Sequence, residues 1–181
     1  MTESDGASRP TPSAHAPAVF DASPLILLDR LGYLPALRHL RGHILIPEAV
    51  SWELSRRPDM PGSGIPNLEW VEVREVEKHL LQRVVDGPPT IDSVEAETIA
   101  LGLAERANVV IDDLKGRERA RRLGVSVTGM LGELVALHSF GIAAAHSCRS
   151  PEEDLDLLSQ AGMRLTAKLR SRVLWELKSN R

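Results

Sequence analysis

Short apolar or alternating runs are separated along the chain by longer amphipathic segments. The short runs have the length and patterning of strands, whereas apolar positions in the longer segments recur every three or four residues, as in helices. The predicted strands cover residues 18–21, 43–46, 70–73, 108–112 and 125–128. The predicted helices begin near residues 23, 47, 76, 93, 116, 130, 151 and 166. Such alternation predicts a mainly parallel central sheet covered by helices on both faces, which is a three-layer α/β/α sandwich.

One domain accounts for most of the chain. Its 181 residues suit a single core. Because 43% of the residues are hydrophobic and 26% are charged, that core can be sizeable. Residues 1–17 are rich in Ser, Pro, Ala and Thr without periodicity, so we expect a flexible tail there. The domain is therefore predicted over residues 18–181.

Composition narrows the classes of protein to consider. The single cysteine, Cys148, cannot form an internal disulfide, and no Cys/His spacing resembles a zinc site. We find neither a signal-peptide pattern nor a long apolar stretch, so we expect a cytoplasmic protein that does not enter a membrane. The net charge of −3 argues against a generally basic surface but leaves room for a local basic patch. Aromatic residues make up only 3%, which argues against binding mainly by base stacking.

Acidic residues stand where two of the predicted strands end. Asp21 closes the first strand, and Asp112 and Asp113 close the fourth. In open α/β sheets, ligands bind beyond the carboxyl ends of the strands, where the winding direction changes. If those two strands are neighbours, their carboxylates meet and repel one another unless they are protonated or bridged by a cation. Since Mg²⁺ prefers oxygen ligands, the pattern predicts a Mg²⁺ or Mn²⁺ site.

The order of motifs resembles that of PIN-domain proteins, in particular a toxin-like branch of ribonucleases. The resemblance runs from about Val19 to Leu177. Its motifs lie at residues 19–25, 46–54, 95–101, 111–117 and 128–132. The resemblance implies a PIN-like α/β/α fold, dependence on Mg²⁺ or Mn²⁺, and cleavage of RNA by metal-activated water. It also implies a role as the toxin of a toxin–antitoxin pair.

The resemblance also implies which residues form the site. Asp21 matches the acid that closes the first strand, and Glu53 matches the glutamate of the following helix, where it would orient water. Glu95 matches the acid at the start of the central helix, although a shifted register would select Glu97 instead. The implied metal ligands are Asp21, Glu95, Asp112 and Asp113, and the implied catalytic set adds Glu53.

Ordinary structural roles remain open for these acids. Asp21 suits the N-cap of a helix that starts near Ser23. Glu95 follows Asp92 at the spacing of a capping box. Glu53 lies three and four residues before two arginines, as in a surface ion pair.

A basic run follows the acids of the fourth strand. We expect Lys115, Arg117 and Arg121 to bind RNA phosphates, with a solvated helix face as the alternative. Trp52 and Trp175 occupy apolar helix positions and are expected in the core or in an interface. The expected partners are an RNA substrate, an antitoxin protein and a second copy of the chain.

Two other functions are compatible with the pattern. One is a PIN-like protein-interaction module that cleaves nothing. The other is a Mg²⁺-dependent phosphoryl-transfer or nucleotide-binding α/β domain, in which Asp21, Asp112 and Asp113 would hold the cation. That second alternative leaves Glu53 and Glu95 without a role.

Overall fold

The computed structural model describes residues 17–179, so all of the expected tail except Pro17 lies outside the described residues. Five strands form one parallel sheet. They are β1 (Ala18–Phe20), β2 (Ile44–Pro47), β3 (Val71–Arg74), β4 (Asn108–Val110) and β5 (Val127–Thr128). Their order across the sheet is β3-β2-β1-β4-β5. Each predicted strand therefore exists, with ends shifted by at most a few residues.

Ten α-helices and one short 3-10 helix (Ile65–Asn67) complete the described chain. The α-helices are α1 (Ala22–Arg30), α2 (Leu34–Arg41), α3 (Glu48–Ser55), α4 (Lys78–Val85), α5 (Ser93–Glu105), α6 (Leu114–Arg122), α7 (Met130–Ser139), α8 (Ile142–His146), α9 (Pro151–Gln160) and α10 (Ala167–Ser179). Two of them, α2 and α8, were not predicted. Across residues 17–179, no helix has the length and apolar character needed to cross a membrane.

β1 lies at the centre of the sheet. Val19 is opposite Leu45 of β2 on one side, and Phe20 is opposite Val110 of β4 on the other. The chain adds β2 and β3 in one direction and then crosses β1 to add β4 and β5 in the other. The winding direction therefore changes between β1 and β4, and the carboxyl ends of these two strands are adjacent.

Helices cover both faces of the sheet. Ala18 and Phe20 point into one core, which they share with apolar residues of α1, α2, α3, α7, α9 and α10. Val19 and Val109 point into the other, which is filled from α4, α5 and α6. Alternate residues of β1 thus enter opposite cores, as the pleat requires. The predicted three-layer sandwich is confirmed.

A buried ion pair joins α2 to α7. Arg41 Nε lies 3.1 Å from Glu133 Oε2, and Arg41 Nη2 lies 2.6 Å from Glu133 Oε1. Both side chains are 0% exposed. The two parallel hydrogen bonds fix the relative position of the helices, because either charge alone would be costly to bury.

A second polar cluster holds α9 in place. Asp154 accepts hydrogen bonds from Tyr33 Oη at 2.7 Å and from Arg149 Nε at 2.7 Å, and its Oδ2 lies 3.0 Å from His138 Nε2. Although burial opposes the charge, these three partners hold the pKa of Asp154 below its usual value. The cluster ties α9, and α10 packed on it, to the rest of the domain.

We expect Glu133→Leu to lower the free energy of unfolding by about 3–5 kcal/mol, because it leaves the Arg41 guanidinium buried without its carboxylate. The double variant Arg41→Met/Glu133→Leu should be clearly more stable than this single variant. Urea denaturation followed by circular dichroism measures both. A double variant less stable than Glu133→Leu would show that the pair is not coupled in this way.

Candidate functional site

Asp21 lies at the junction of β1 and β4. Its backbone N–H donates to the carbonyl of Val110 at 3.1 Å, and the residue is only 8% exposed. Asp21 occupies the N-cap position of α1, but its side chain makes no capping hydrogen bond. The pKa of Asp21 is raised to about 7, mainly by burial. The backbone N–H of Ala22 acts to lower it, and the charges of Glu53, Asp92 and Asp112 act in the same direction as burial. The carboxylate is thus held among other acids rather than used as a helix cap.

Glu95 lies in the first turn of α5, where it contributes to the helix cap and also lies close to other acids. It forms the expected capping box, in which the Glu95 N–H donates to Asp92 Oδ1 at 2.8 Å and the Asp92 N–H donates to Glu95 Oε2 at 3.4 Å. The pKa of Glu95 is raised to about 7, mainly by burial and also by the charges of Asp92, Asp113 and Asp21, against a hydrogen bond with the Asp92 backbone. The Glu95 side chain therefore takes part in the helix cap and also belongs to the group of acids around Asp21.

Glu97, the alternative to Glu95, has a different neighbour. Its Oε2 accepts a hydrogen bond from the backbone N–H of Ala49 at 3.2 Å, in the first turn of α3. The carboxyl carbon of Glu95 instead lies against Gly116 at the start of α6, 3.3 Å from where a Cβ would stand. The structure therefore directs Glu95, rather than Glu97, towards the aspartates that follow β4.

Asp112 has one occupied and one open carboxylate oxygen. Its Oδ1 accepts a hydrogen bond from the Met130 N–H at 2.8 Å. Its Oδ2 is buried and has no hydrogen-bond partner among the described residues. Burial raises the pKa of Asp112, against the lowering effects of that hydrogen bond and of the Arg117 charge. A buried carboxylate oxygen without a partner is a position that a cation satisfies well.

Asp113 caps a helix. Its Oδ1 accepts hydrogen bonds from the backbone N–H groups of Lys115 at 2.7 Å and Gly116 at 3.1 Å, which start α6. The residue is exposed. Of the two aspartates after β4, Asp112 therefore has the open oxygen inside the site, and Asp113 lies at its rim.

Glu53 is half-buried on α3, and its charge contributes to the raised pKa of Asp21. It forms no ion pair with either of the arginines that follow it, as far as residues 17–179 show. Arg56 instead stacks on Trp52, with its Cζ 5.2 Å from the ring centroid. Trp52 is 65% exposed, so it is not a core residue.

The basic run after β4 divides between two faces of α6. Arg117 adjoins Asp112, and its Nη1 would be 3.2 Å from a Cβ on Gly129. Lys115 and Arg121 are exposed. Arg119 is buried and donates to the carbonyls of Val84 at 2.8 Å, Arg83 at 3.1 Å and Asp86, at the end of α4. It therefore caps a helix and is not available to a ligand.

The acids of the described residues do not form a complete metal-binding site by themselves. In the described part of the chain, no three Asp, Glu, His or Cys side chains are arranged to hold one metal ion by themselves. Mg²⁺ typically takes only one or two carboxylates and keeps several waters. The oxygen-only donors, the raised pKa values of Asp21 and Glu95 and the open oxygen of Asp112 fit such a cation.

Sequence reasoning gave Asp92 only a capping role. The structure adds its charge to those that raise the pKa values of both Asp21 and Glu95. The sequence contained a signal for this proximity, because Asp92 precedes Glu95 by three residues. An N-cap and the third residue of the same helix lie at the same helix end.

A protein-family model, DUF3368, described as a PIN domain, matches residues 17–179. No match was found among curated proteins. The matched span contains every acid of the site and all described helices and strands.

We expect Gly129→Ala to disturb Asp112, because the added Cβ would lie 2.7 Å from Asp112 Oδ1. The backbone is extended there, so the effect is a collision and not conformational strain. Amide hydrogen exchange at Met130 should accelerate as its bond to Asp112 weakens. Gly64→Ala is the matched control, since a Cβ at that position meets nothing within 4 Å. Unchanged exchange in Gly129→Ala would contradict this packing.

We expect Asp21→Asn to stabilise the protein above neutral pH in EDTA. The folded-state pKa of about 7 lies above the ordinary value of 3.8, so the contribution of Asp21 to stability is complete below about pH 4 and is lost as the pH rises through 7. The variant should gain about 3–4 kcal/mol at pH 8 and much less at pH 5. Urea denaturation at both values measures this, with exposed Asp59→Asn as the control. Equal gains at both pH values would refute the assignment.

Proposed function

Because this chain belongs to the PIN-domain family, we propose that it is an endoribonuclease that hydrolyses RNA phosphodiester bonds with Mg²⁺ or Mn²⁺. PIN domains are generally nucleases and typically use divalent metals. The observation that carries the proposal is the buried Asp112 Oδ2, which has no described partner and stands beside a second strand end that bears Asp21.

The proposed ligands are Asp21, Glu95, Asp112 and Asp113. When bound, the cation would lower the pKa of a nucleophilic water and offset the negative charge that develops on the phosphate. Asp112 is oriented for this role because the Met130 amide holds its Oδ1, and the charge of Arg117 acts to lower the pKa of the same carboxyl. Asp113 offers its second oxygen at the rim, since its Oδ1 already caps α6.

Glu53 is proposed to orient the attacking water and accept its proton. It lies on α3 close enough to raise the pKa of Asp21, but it is less buried than Asp21. A half-buried carboxylate keeps contact with solvent while remaining inside the site. That position suits a group that exchanges protons with water.

Phosphate binding is proposed for Lys115, Arg117 and Arg121. Arg117 adjoins Asp112, so a phosphate held there would lie beside the acids. Lys115 and Arg121 extend the positive charge along the exposed side of α6. In this proposal the acidic side chains bind the cation and the basic side chains bind the polyanion.

From the family resemblance, we also propose that the protein acts in the cytoplasm as the toxin of a toxin–antitoxin pair. Exposed Trp52 and Trp175, at 65% and 69%, supply apolar surface for an antitoxin protein or for a second copy of the chain. The placement of Glu95 among the acids favours the nuclease over the phosphoryl-transfer alternative, which gives that residue no role.

We expect the purified protein to cleave RNA with Mn²⁺ or Mg²⁺ and to be inactive in EDTA. Asp21→Asn and Asp112→Asn should lower kcat by at least about 100-fold, as removal of a group acting directly on the reacting centre does. Asp59→Asn, on an exposed loop, is the matched control and should keep full activity. Gel analysis of labelled single-stranded RNA measures the rates. Cleavage that persists in EDTA or in Asp21→Asn would remove the proposed mechanism.

A further inference from the structure

An open groove of about 1020 Å³ has Asp112 and Asp113 among its lining residues. Side chains of α1, α6, α7 and α10 line it, together with the segment that joins α9 to α10. Five arginines lie along it, namely Arg30, Arg117, Arg121, Arg164 and Arg172. Beyond the two aspartates, Glu176 is the acid among its described lining residues. We call it the arginine groove.

Two of these arginines come from the C-terminal part of the domain. Arg164 lies just before α10, and Arg172 lies within it. Arg170 Nη2 joins α10 to α9 through Asp156 Oδ1 at 2.9 Å, and Arg30 Nη1 donates to the carbonyl of Ala161 at 3.4 Å. The wall that bears Arg164 and Arg172 is therefore attached to α9 and α1, rather than being a loose tail.

The charges of the groove are accessible. Arg121 and Arg164 are exposed, and neither forms an ion pair with a carboxylate of residues 17–179. Arg172 pairs with Glu176 at 3.0 Å, but this pair lies at solvent and a phosphate can displace the carboxylate. The groove therefore presents more positively charged than negatively charged side chains to a bound ligand.

The lining favours a nucleic acid backbone that has unpaired bases. No aromatic side chain is among the described lining residues, so base stacking is not the source of affinity. Ile26, Leu27 and Leu131 give the groove aliphatic surface, against which unpaired bases can lie. A duplex would present only its phosphates and sugars to the same surface.

We propose that the arginine groove binds the backbone of a single-stranded RNA segment next to the cleaved bond, with Arg164 and Arg172 as phosphate ligands. The proposal rests on the proposed nuclease function, because the groove opens directly onto Asp112 and Asp113. It assigns substrate binding to α10 and the segment before it, which are far in sequence from β1. The contacts are to phosphates, so this part of the binding is independent of base sequence.

The experiment measures binding of a labelled 12-nucleotide single strand by fluorescence anisotropy in EDTA, with Asp21→Asn as the non-cleaving parent. Adding Arg164→Ala/Arg172→Ala should weaken binding about 25-fold at 0.1 M salt and reduce the slope of log K against log salt by about 1.4, two contacts at about 0.7 each. Arg164→Lys/Arg172→Lys should keep the slope, since the charges remain.

A matched control removes the same charge elsewhere. Lys78→Ala/Arg83→Ala changes two exposed residues of α4, which does not line the groove, and should bind as the parent does. Glu176→Gln should tighten binding, by up to about 5-fold at 0.1 M salt, the contribution of one phosphate contact. A gain of affinity cannot come from misfolding.

Several results would overturn the proposal: no detectable RNA binding, unchanged binding in Arg164→Ala/Arg172→Ala, or an equal loss in the α4 control. Equal affinity for duplex RNA would also overturn it. Polyglutamate binding that depends on the two arginines, with no RNA binding, would assign the groove to an acidic polypeptide. If Arg164→Ala/Arg172→Ala weakens binding but the wild type cleaves nothing in Mn²⁺, the groove assignment holds and the nuclease proposal fails.

Discussion

The adjacency of β1 and β4 is the constraint on which the site depends. Their pairing sets Asp21 next to the end of β4, with one backbone hydrogen bond from Asp21 to Val110 linking the two strand ends. Burial is the main cause of the raised pKa values of Asp21 and Glu95, each about 7, and repulsion from neighbouring carboxylates adds to it. The two cores on either side of the sheet hold the strands together, although the buried carboxylates are costly to the fold.

Helix N-termini offset part of that cost. Asp21 stands at the start of α1, Asp92 and Glu95 at the start of α5, and Asp113 at the start of α6. Asp112 accepts from the first amide of α7. Each helix presents partial positive charge and unpaired N–H groups at this end, which stabilise nearby anions. Parallel strands followed by helices bring these N-termini to one edge, so the same topology that concentrates the acids also moderates their repulsion.

Local patterns were sufficient for the strands and for the two acids at strand ends, because each depends on a short stretch of chain. The sequence left open whether β1 and β4 are neighbours, because strand order depends on contacts between distant segments. The helices α2 and α8 were not predicted, because eight and five residues give at most about two helical turns in which a period can be recognised. Glu133 looks like a surface residue until Arg41, 92 positions away, is placed beside it. Arg119 and Arg121 are indistinguishable in the sequence, yet only Arg119 faces the end of α4. The roles of Glu133 and Arg119 depend on which helices pack together, and no short stretch of sequence contains that information.

Charge segregation relates the site to the rest of the domain. If arginines stood among the acids, they would neutralise the carboxylates directly and remove the reason for a cation to bind there. Arg117 is the one arginine whose charge lowers the pKa of Asp112, and burial still keeps that pKa raised. Positive charge also lies along the arginine groove, and part of it comes from Arg164 and Arg172, which are remote in sequence from the acids. A chain with net charge −3 can therefore carry a local concentration of positive charge beside an acidic centre.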